Sequence, residues 1–203
     1  MKVFPLSTTS DIFITKALPL LEKCYEQISY LNPNQYPEYP HKPFRHLLAF
    51  GASVAVHVFN DSCVFDTWKQ LYLAHPKEWI FAFISYDAKN SVEALTNLKE
   101  PGIEFNAACF FIPQHVWEIT SEGIIIHKGN ASALIQEIEE YEDQKTDTAT
   151  TIVSSPLSLI SKETYLHTIS RIQLFLEEGN AYEINFCMPF KGKGTIQPAN
   201  TYL

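Results

Sequence analysis

The fold of this chain turns on its C-terminal part, Ser161–Leu203, and above all on the stretch Gly179-Asn180-Ala181-Tyr182-Glu183-Ile184-Asn185. Before this stretch, apolar side chains recur at the spacing of one helix face: Tyr165, Ile169, Ile172 and Leu176. Ser161 is predicted to cap the helix because its side-chain oxygen can accept a hydrogen bond from a free amide. Gly179 is predicted to end it, since glycine enters the left-handed conformation without a Cβ clash.

After the glycine the period of the pattern drops to two, which predicts a β-strand that begins at Tyr182. One face of this strand would carry Tyr182, Ile184, Phe186, Met188 and Phe190, and the other Glu183, Asn185 and Cys187. In this arrangement we expect Tyr182 to pack inward and Asn185 to hold neighbouring backbone or to line the edge of a cleft. A helix that runs directly into a strand indicates a mixed fold, and we predict the α+β class.

Composition excludes several classes of protein. The chain has 203 residues, 46% of them hydrophobic, and a net charge of −8, which argues against nucleic acid and against an anionic membrane surface. No apolar run is long enough to span a bilayer, so the cytoplasm is the expected location. The four cysteines are scattered, and the seven glycines form no phosphate-binding loop. We therefore expect buried free thiols and no zinc site.

The first two-thirds of the chain is predicted to alternate helices and strands, with helices over 12–24, 64–73 and 132–141 and strands over 54–59, 79–86, 116–119 and 123–127. Pro19 indicates either a kink in the first helix or a helix that starts near Ala17. Gly51 and Ala52 are expected to divide one apolar run into two pieces. The near-continuous run Trp79–Tyr86 is typical of a strand in the middle of a sheet.

Two polar or proline-rich segments are predicted to lie outside these elements. Asn32–Pro43 has four prolines with tyrosines between them and reads as a stiff surface loop, although such segments can also bind partners. Glu142–Thr151 is polar and lacks periodicity. We accordingly divide the chain into a first region over 1–142, a linker over 143–160 and a second region over 161–203.

The residue pattern at the junction resembles a known family. Gly179-Asn180-x-Tyr182-x-x-Asn185, with Phe190 after it, is similar to the helix and strand that open the catalytic domain of the chorismate-utilising enzymes. Within that group it is most similar to component I of aminodeoxychorismate synthase, whose pattern reads Gly-Asp-x-Tyr-Gln-x-Asn-Leu-x-x-Arg-Phe. The chain departs from that pattern at Asn180, Glu183 and Pro189.

The resemblance implies a fold of four layers, α/β/β/α, with two orthogonally packed and mainly antiparallel sheets. It implies an enzyme that replaces the C4 hydroxyl of chorismate by ammonia, with Mg²⁺ at the substrate carboxylates and ammonia from a glutamine amidotransferase subunit. Gly179, Tyr182 and Asn185 would then be structural or cleft-edge residues. The alternatives are an anthranilate, isochorismate or salicylate synthase, and a non-catalytic domain that binds a partner.

The resemblance also implies that no catalytic, cofactor-binding or metal-binding residue lies in this chain. The family's Pro-Ile-Lys-Gly-Thr and Ser-Pro-Glu-Arg-Phe segments would follow Leu203, so we expect the N-terminal half of a longer enzyme, inactive by itself. Lys191 and Lys193 flank Gly192 in what we predict to be a hairpin turn without a catalytic role. Tyr86 and Asp87 are read as a strand-end turn in preference to a catalytic pair.

One position bears on regulation. Some family members bind tryptophan through a serine that follows a Leu-Leu pair and precedes a glycine. In Leu47-Leu48-Ala49-Phe50-Gly51 the serine's place is taken by Phe50, which cannot donate a hydrogen bond to a ligand carboxylate. We therefore predict no tryptophan site.

Overall fold

A computed structural model describes residues 3–34, 46–59, 63–93, 105–142, 151–152 and 154–202. The chain forms two compact units, Met1–Asp143 and Gln144–Leu203, which are described separately. The long predicted loop 32–43 and the first part of the predicted linker, 143–150, fall largely outside the described residues. None of the helices in the described ranges is long and apolar enough to cross a membrane.

The first unit is built on an antiparallel sheet flanked by helices. Its elements are β1 (Val3–Phe4), α1 (Ser10–Cys24), β2 (Ile28–Leu31), β3 (His46–Val58), α2 (Val64–Ala74), β4 (Phe81–Ile84), β5 (Ala108–Thr120), β6 (Gly123–Lys128) and α3 (Ser132–Glu140). The strand order is β1-β6-β5-β3-β2, and β4 pairs with β5 beside β6. This arrangement of helices and antiparallel strands confirms the α+β class.

Helix α1 begins earlier than its apolar pattern indicates. The Thr9 side chain accepts a hydrogen bond from the Ile12 amide and caps the helix, which then runs as one element through Pro19. The predicted alternative of a helix that starts near Ala17 is therefore wrong. Pro19 is tolerated because it is buried together with apolar neighbours such as Leu18 and Leu21, and this burial offsets the missing backbone hydrogen bond.

Strand β3 is one element and not the two pieces that the sequence predicts. Gly51 has a φ of +65° and its amide donates to the Gln27 carbonyl at 3.0 Å. The pairing with β5 shifts register between Ala52 and Val54, which marks a bulge. Ser53 is therefore the extra residue, and the ladder continues on both sides of it.

Strand β4 lies at an edge of the described sheet, so its predicted position in the middle is wrong. Within the described residues it pairs only with β5, and of its four residues only Phe81 is buried. Phe83 is 50% exposed and Ile84 is 40% exposed. An apolar run shows that a strand can be buried on both faces, but it does not specify which strands lie beside it. β4 and β6 pair with different parts of the same side of β5.

Helix α2 buries a narrower face than its apolar spacing predicts. It buries Val64 and Leu71, whereas Phe65, Trp68 and Tyr72, whose spacing also fits one helix face, are exposed. Val64 and Leu71 pack into a cluster with Val58, Phe110 and Ile112, and this contact sets which side of the helix faces inward. Asp61 and Ser62, whose side chains are suited to cap this helix, lie outside the described residues. Helix α3 buries Ile135 and Ile138, whereas Leu134 and Tyr141, which its spacing also predicts to be buried, are only half-buried.

The second unit contains α4 (Lys162–Glu177), α5 (Pro198–Tyr202) and four strands of two residues each. The strands are β7 (Thr151–Ile152), β8 (Leu157–Ser158), β9 (Phe190–Lys191) and β10 (Gly194–Thr195). β8 pairs with β9, and β7 pairs with β10, both antiparallel. Residues 151–152 and 154–159, in the second half of the segment predicted as a linker, therefore form a ribbon with residues 189–195.

A prediction concerns the β5–β6 turn, where Gly123 has a φ of +136° as the hairpin requires. A Cβ at Gly123 would lie 2.3 Å from the backbone oxygen of Phe4. We expect Gly123→Ala to lower the free energy of unfolding by about 3 kcal/mol, because it adds steric overlap to an unfavourable φ. Urea unfolding measures this change.

The matched control is Glu122→Ala in the same turn, which changes an exposed side chain without that overlap. It should alter the free energy of unfolding by less than about 0.5 kcal/mol. Equal effects of the two substitutions would contradict the close approach of β1 to Gly123.

A second prediction concerns pH. Burial lowers the pKa of His115 below 6.5, and a backbone hydrogen bond to Asn130 opposes this shift only in part. Burial likewise lowers the pKa of His46, against an opposing effect of Asp11. Because the unfolded chain then binds protons at higher pH than the folded chain does, stability should fall as pH drops below about 6.5 and through the folded-state pKa values.

Urea unfolding of the wild type and of His115→Gln over this pH range measures the effect. The variant should show a shallower loss of stability on acidification, and His46→Gln should do the same for its own share. Stability that increases as pH falls through this range would contradict the assignment.

Candidate functional site

The stretch at the end of α4 closes the helix as its sequence predicts. The Ser161 side chain accepts from the Thr164 amide at 3.1 Å and caps the start. At the other end Gly179 has a φ of +75°, its amide donates to the Leu176 carbonyl, and the Asn180 amide donates to the Phe175 carbonyl. These two bonds are the Schellman pattern, which satisfies carbonyls that the helix leaves free. The predicted helix stop at Gly179 is confirmed.

The chain has Asn180 where the family pattern has aspartate, and a neighbouring side chain explains this difference. Its side-chain amide donates to a Glu178 carboxylate oxygen at 2.8 Å. An aspartate at this position, as in the family pattern, could not donate and would place a second negative charge beside Glu178. The two residues Glu178 and Asn180 are therefore compatible with each other.

The predicted strand from Tyr182 to Phe190 does not form, and the expected inward packing of Tyr182 is wrong. Tyr182 is fully exposed, and regular strand structure begins only at Phe190. A strand needs a partner for its backbone groups, and within the described residues only the end of this segment has one. Asn185 is also exposed, so its role at a cleft edge stays a prediction. The one ring contact of this segment that the structure gives joins Phe186 to Tyr165, with centroids 5.7 Å apart.

The predicted hairpin turn around Gly192 is also wrong. Lys191 pairs with Leu157, and the Lys193 amide donates to the Ser154 hydroxyl at 2.9 Å. The strands on either side of Gly192, β9 and β10, pair in the same antiparallel sense with β8 and β7, so the backbone does not reverse there. Both lysine side chains are exposed to solvent.

Tyr86 and Asp87 begin a short 3₁₀ helix, Tyr86–Ser91. The Lys89 ammonium lies 2.9 Å from the Asp87 carboxylate and 4.6 Å from the centre of the Tyr86 ring. Tyr86 is 84% exposed. Asp87 and Tyr86 therefore contact Lys89 through a local ion pair and a cation–π interaction, and their place in a short helical turn agrees with the predicted turn at the end of the strand.

Phe50 is fully buried in a group of aromatic side chains. Its ring stacks on His115 with centroids 4.6 Å apart, and it meets Trp117 edge to face at 4.8 Å. The Tyr25 ring also meets it edge to face, with centroids 5.1 Å apart. The place where the resemblance would put a ligand-binding serine is therefore filled by packed aromatic rings.

The sequence reasoning missed one pair of polar residues. His127 lies 3.0 Å from the Glu118 carboxylate across the β5–β6 hairpin, and its ring is 5.7 Å from that of Trp79. Next to this pair, Lys128 forms an ion pair with Glu78. The sequence signal that could have revealed this pair is the predicted hairpin, because a hairpin brings residues on either side of Gly123 together.

The Mg²⁺ that the resemblance implies finds no set of ligands here. Among the described residues no group of three or more His, Cys, Asp or Glu side chains is placed to hold a metal ion. The Glu118–His127 pair contributes one carboxylate and one imidazole, whereas Mg²⁺ prefers several oxygen ligands. The described residues therefore do not fit a magnesium site.

Comparison with known proteins places the chain in a family. No individual curated protein matches it. The sequence profile of the family described as chorismate binding enzyme matches residues 25–203, which is well over half of the chain. This match includes the helix, the Gly179 stop and the segment after it, whose residues carry the resemblance. The chain therefore belongs to the family of chorismate binding enzymes.

Proposed function

We propose that this chain is part of an enzyme that aminates chorismate to 4-amino-4-deoxychorismate, the reaction of aminodeoxychorismate synthase component I. The observation that carries the proposal is the pattern Gly179-Asn180-x-Tyr182-x-x-Asn185 directly after a capped helix. The hydrogen-bonded stop at Gly179 supports it, because the glycine of the pattern has a defined conformational task. Membership of the family of chorismate binding enzymes supports chorismate as the substrate.

In this proposal the chain acts as a scaffold and carries no catalytic residue. Chorismate is a dicarboxylate, so its binding needs cations such as Mg²⁺, arginine or lysine. Lys191 and Lys193, in the ribbon of the second unit, are exposed. The described residues contain no group of three or more His, Cys, Asp or Glu side chains that could hold a metal ion. Mg²⁺ would be bound by residues outside the described part of the chain, and a glutamine amidotransferase subunit would supply ammonia.

The alternatives within the family are anthranilate, isochorismate and salicylate synthases. Phe50 weighs against an anthranilate synthase that is inhibited by tryptophan, because its ring is buried against His115 and Trp117 where such an inhibitor would need space. A non-catalytic partner-binding domain is the alternative from another class. Its support is the net charge of −8 and the proline-rich segment at 32–43.

The product of the reaction tests the proposal. The full reading frame that encodes this chain, supplied with chorismate, Mg²⁺ and ammonium, should yield 4-amino-4-deoxychorismate, which chromatography separates from anthranilate and isochorismate. The 203-residue chain under the same conditions should yield none of these products. Anthranilate from the full frame would contradict the proposed reaction, and turnover by the chain alone would contradict its role as a scaffold.

A second test concerns the lysines near Gly192. We expect Lys191→Ala and Lys193→Ala, made in the full reading frame, to lower kcat by less than about tenfold, whereas loss of a catalytic acid, base or nucleophile costs about a hundredfold or more. Lys162→Ala, on the exposed first turn of α4, is the matched control. A large loss of kcat for one ribbon lysine with normal behaviour of the control would assign that lysine to catalysis.

A third test concerns tryptophan. A ligand that binds only the folded protein raises its Tm. Because Phe50 is buried among aromatic rings, we expect added tryptophan to leave Tm unchanged, as added leucine should. Differential scanning fluorimetry gives the comparison, and a rise in Tm that depends on tryptophan concentration but not on leucine would contradict the absence of a site.

A further inference from the structure

We draw no further inference here: the strongest candidate, the exposed apolar surface that α4 and residues 182–190 carry in the second unit, carries nothing because no feature of the described residues shows what covers it.

Discussion

Backbone hydrogen bonding along β5 is the constraint on which the first unit depends. This 13-residue strand pairs with β3 on one side and with both β4 and β6 on the other, so three strands take their register from it. Phe110, Ile112 and Trp117 on this strand are buried in the core. A residue lost or gained in β5 would move every side chain beyond that point to the opposite face, so its register also determines the packing.

The bulge in β3 and the aromatic group around Phe50 are consequences of this pairing. β3 stays paired with β5 through one extra residue, Ser53, two positions after Gly51 with its positive φ. Phe50 precedes that glycine and is paired with His115 across the ladder, where the two rings stack. The feature that weighs against a tryptophan-binding pocket is therefore set by strand register as well as by side-chain size.

The second unit depends less on the burial of side chains than the first unit does. Its longest element, α4, buries none of its residues, and among the described residues of the unit only Ala199 is buried. A helix satisfies its own backbone hydrogen bonds, so α4 and its Gly179 stop form from local interactions. The residues that carry the family resemblance thus lie at the end of a helix closed by local interactions and just after it. Among the described residues, no group of three or more His, Cys, Asp or Glu side chains is placed to hold a metal ion.

The parts that the sequence determined by itself are those with short-range causes. Ser161 and Gly179 lie at the two ends of α4, where one side chain or one glycine conformation decides the backbone, and both were predicted correctly. The α+β class and the family followed from periodicity and from the residue pattern around Gly179. Only the tertiary structure decided the continuity of β3, the edge position of β4, the exposed side of α2 and the lack of a strand at Tyr182. These depend on which distant strand supplies the hydrogen bonds and which face a neighbour covers, and apolar periodicity specifies neither.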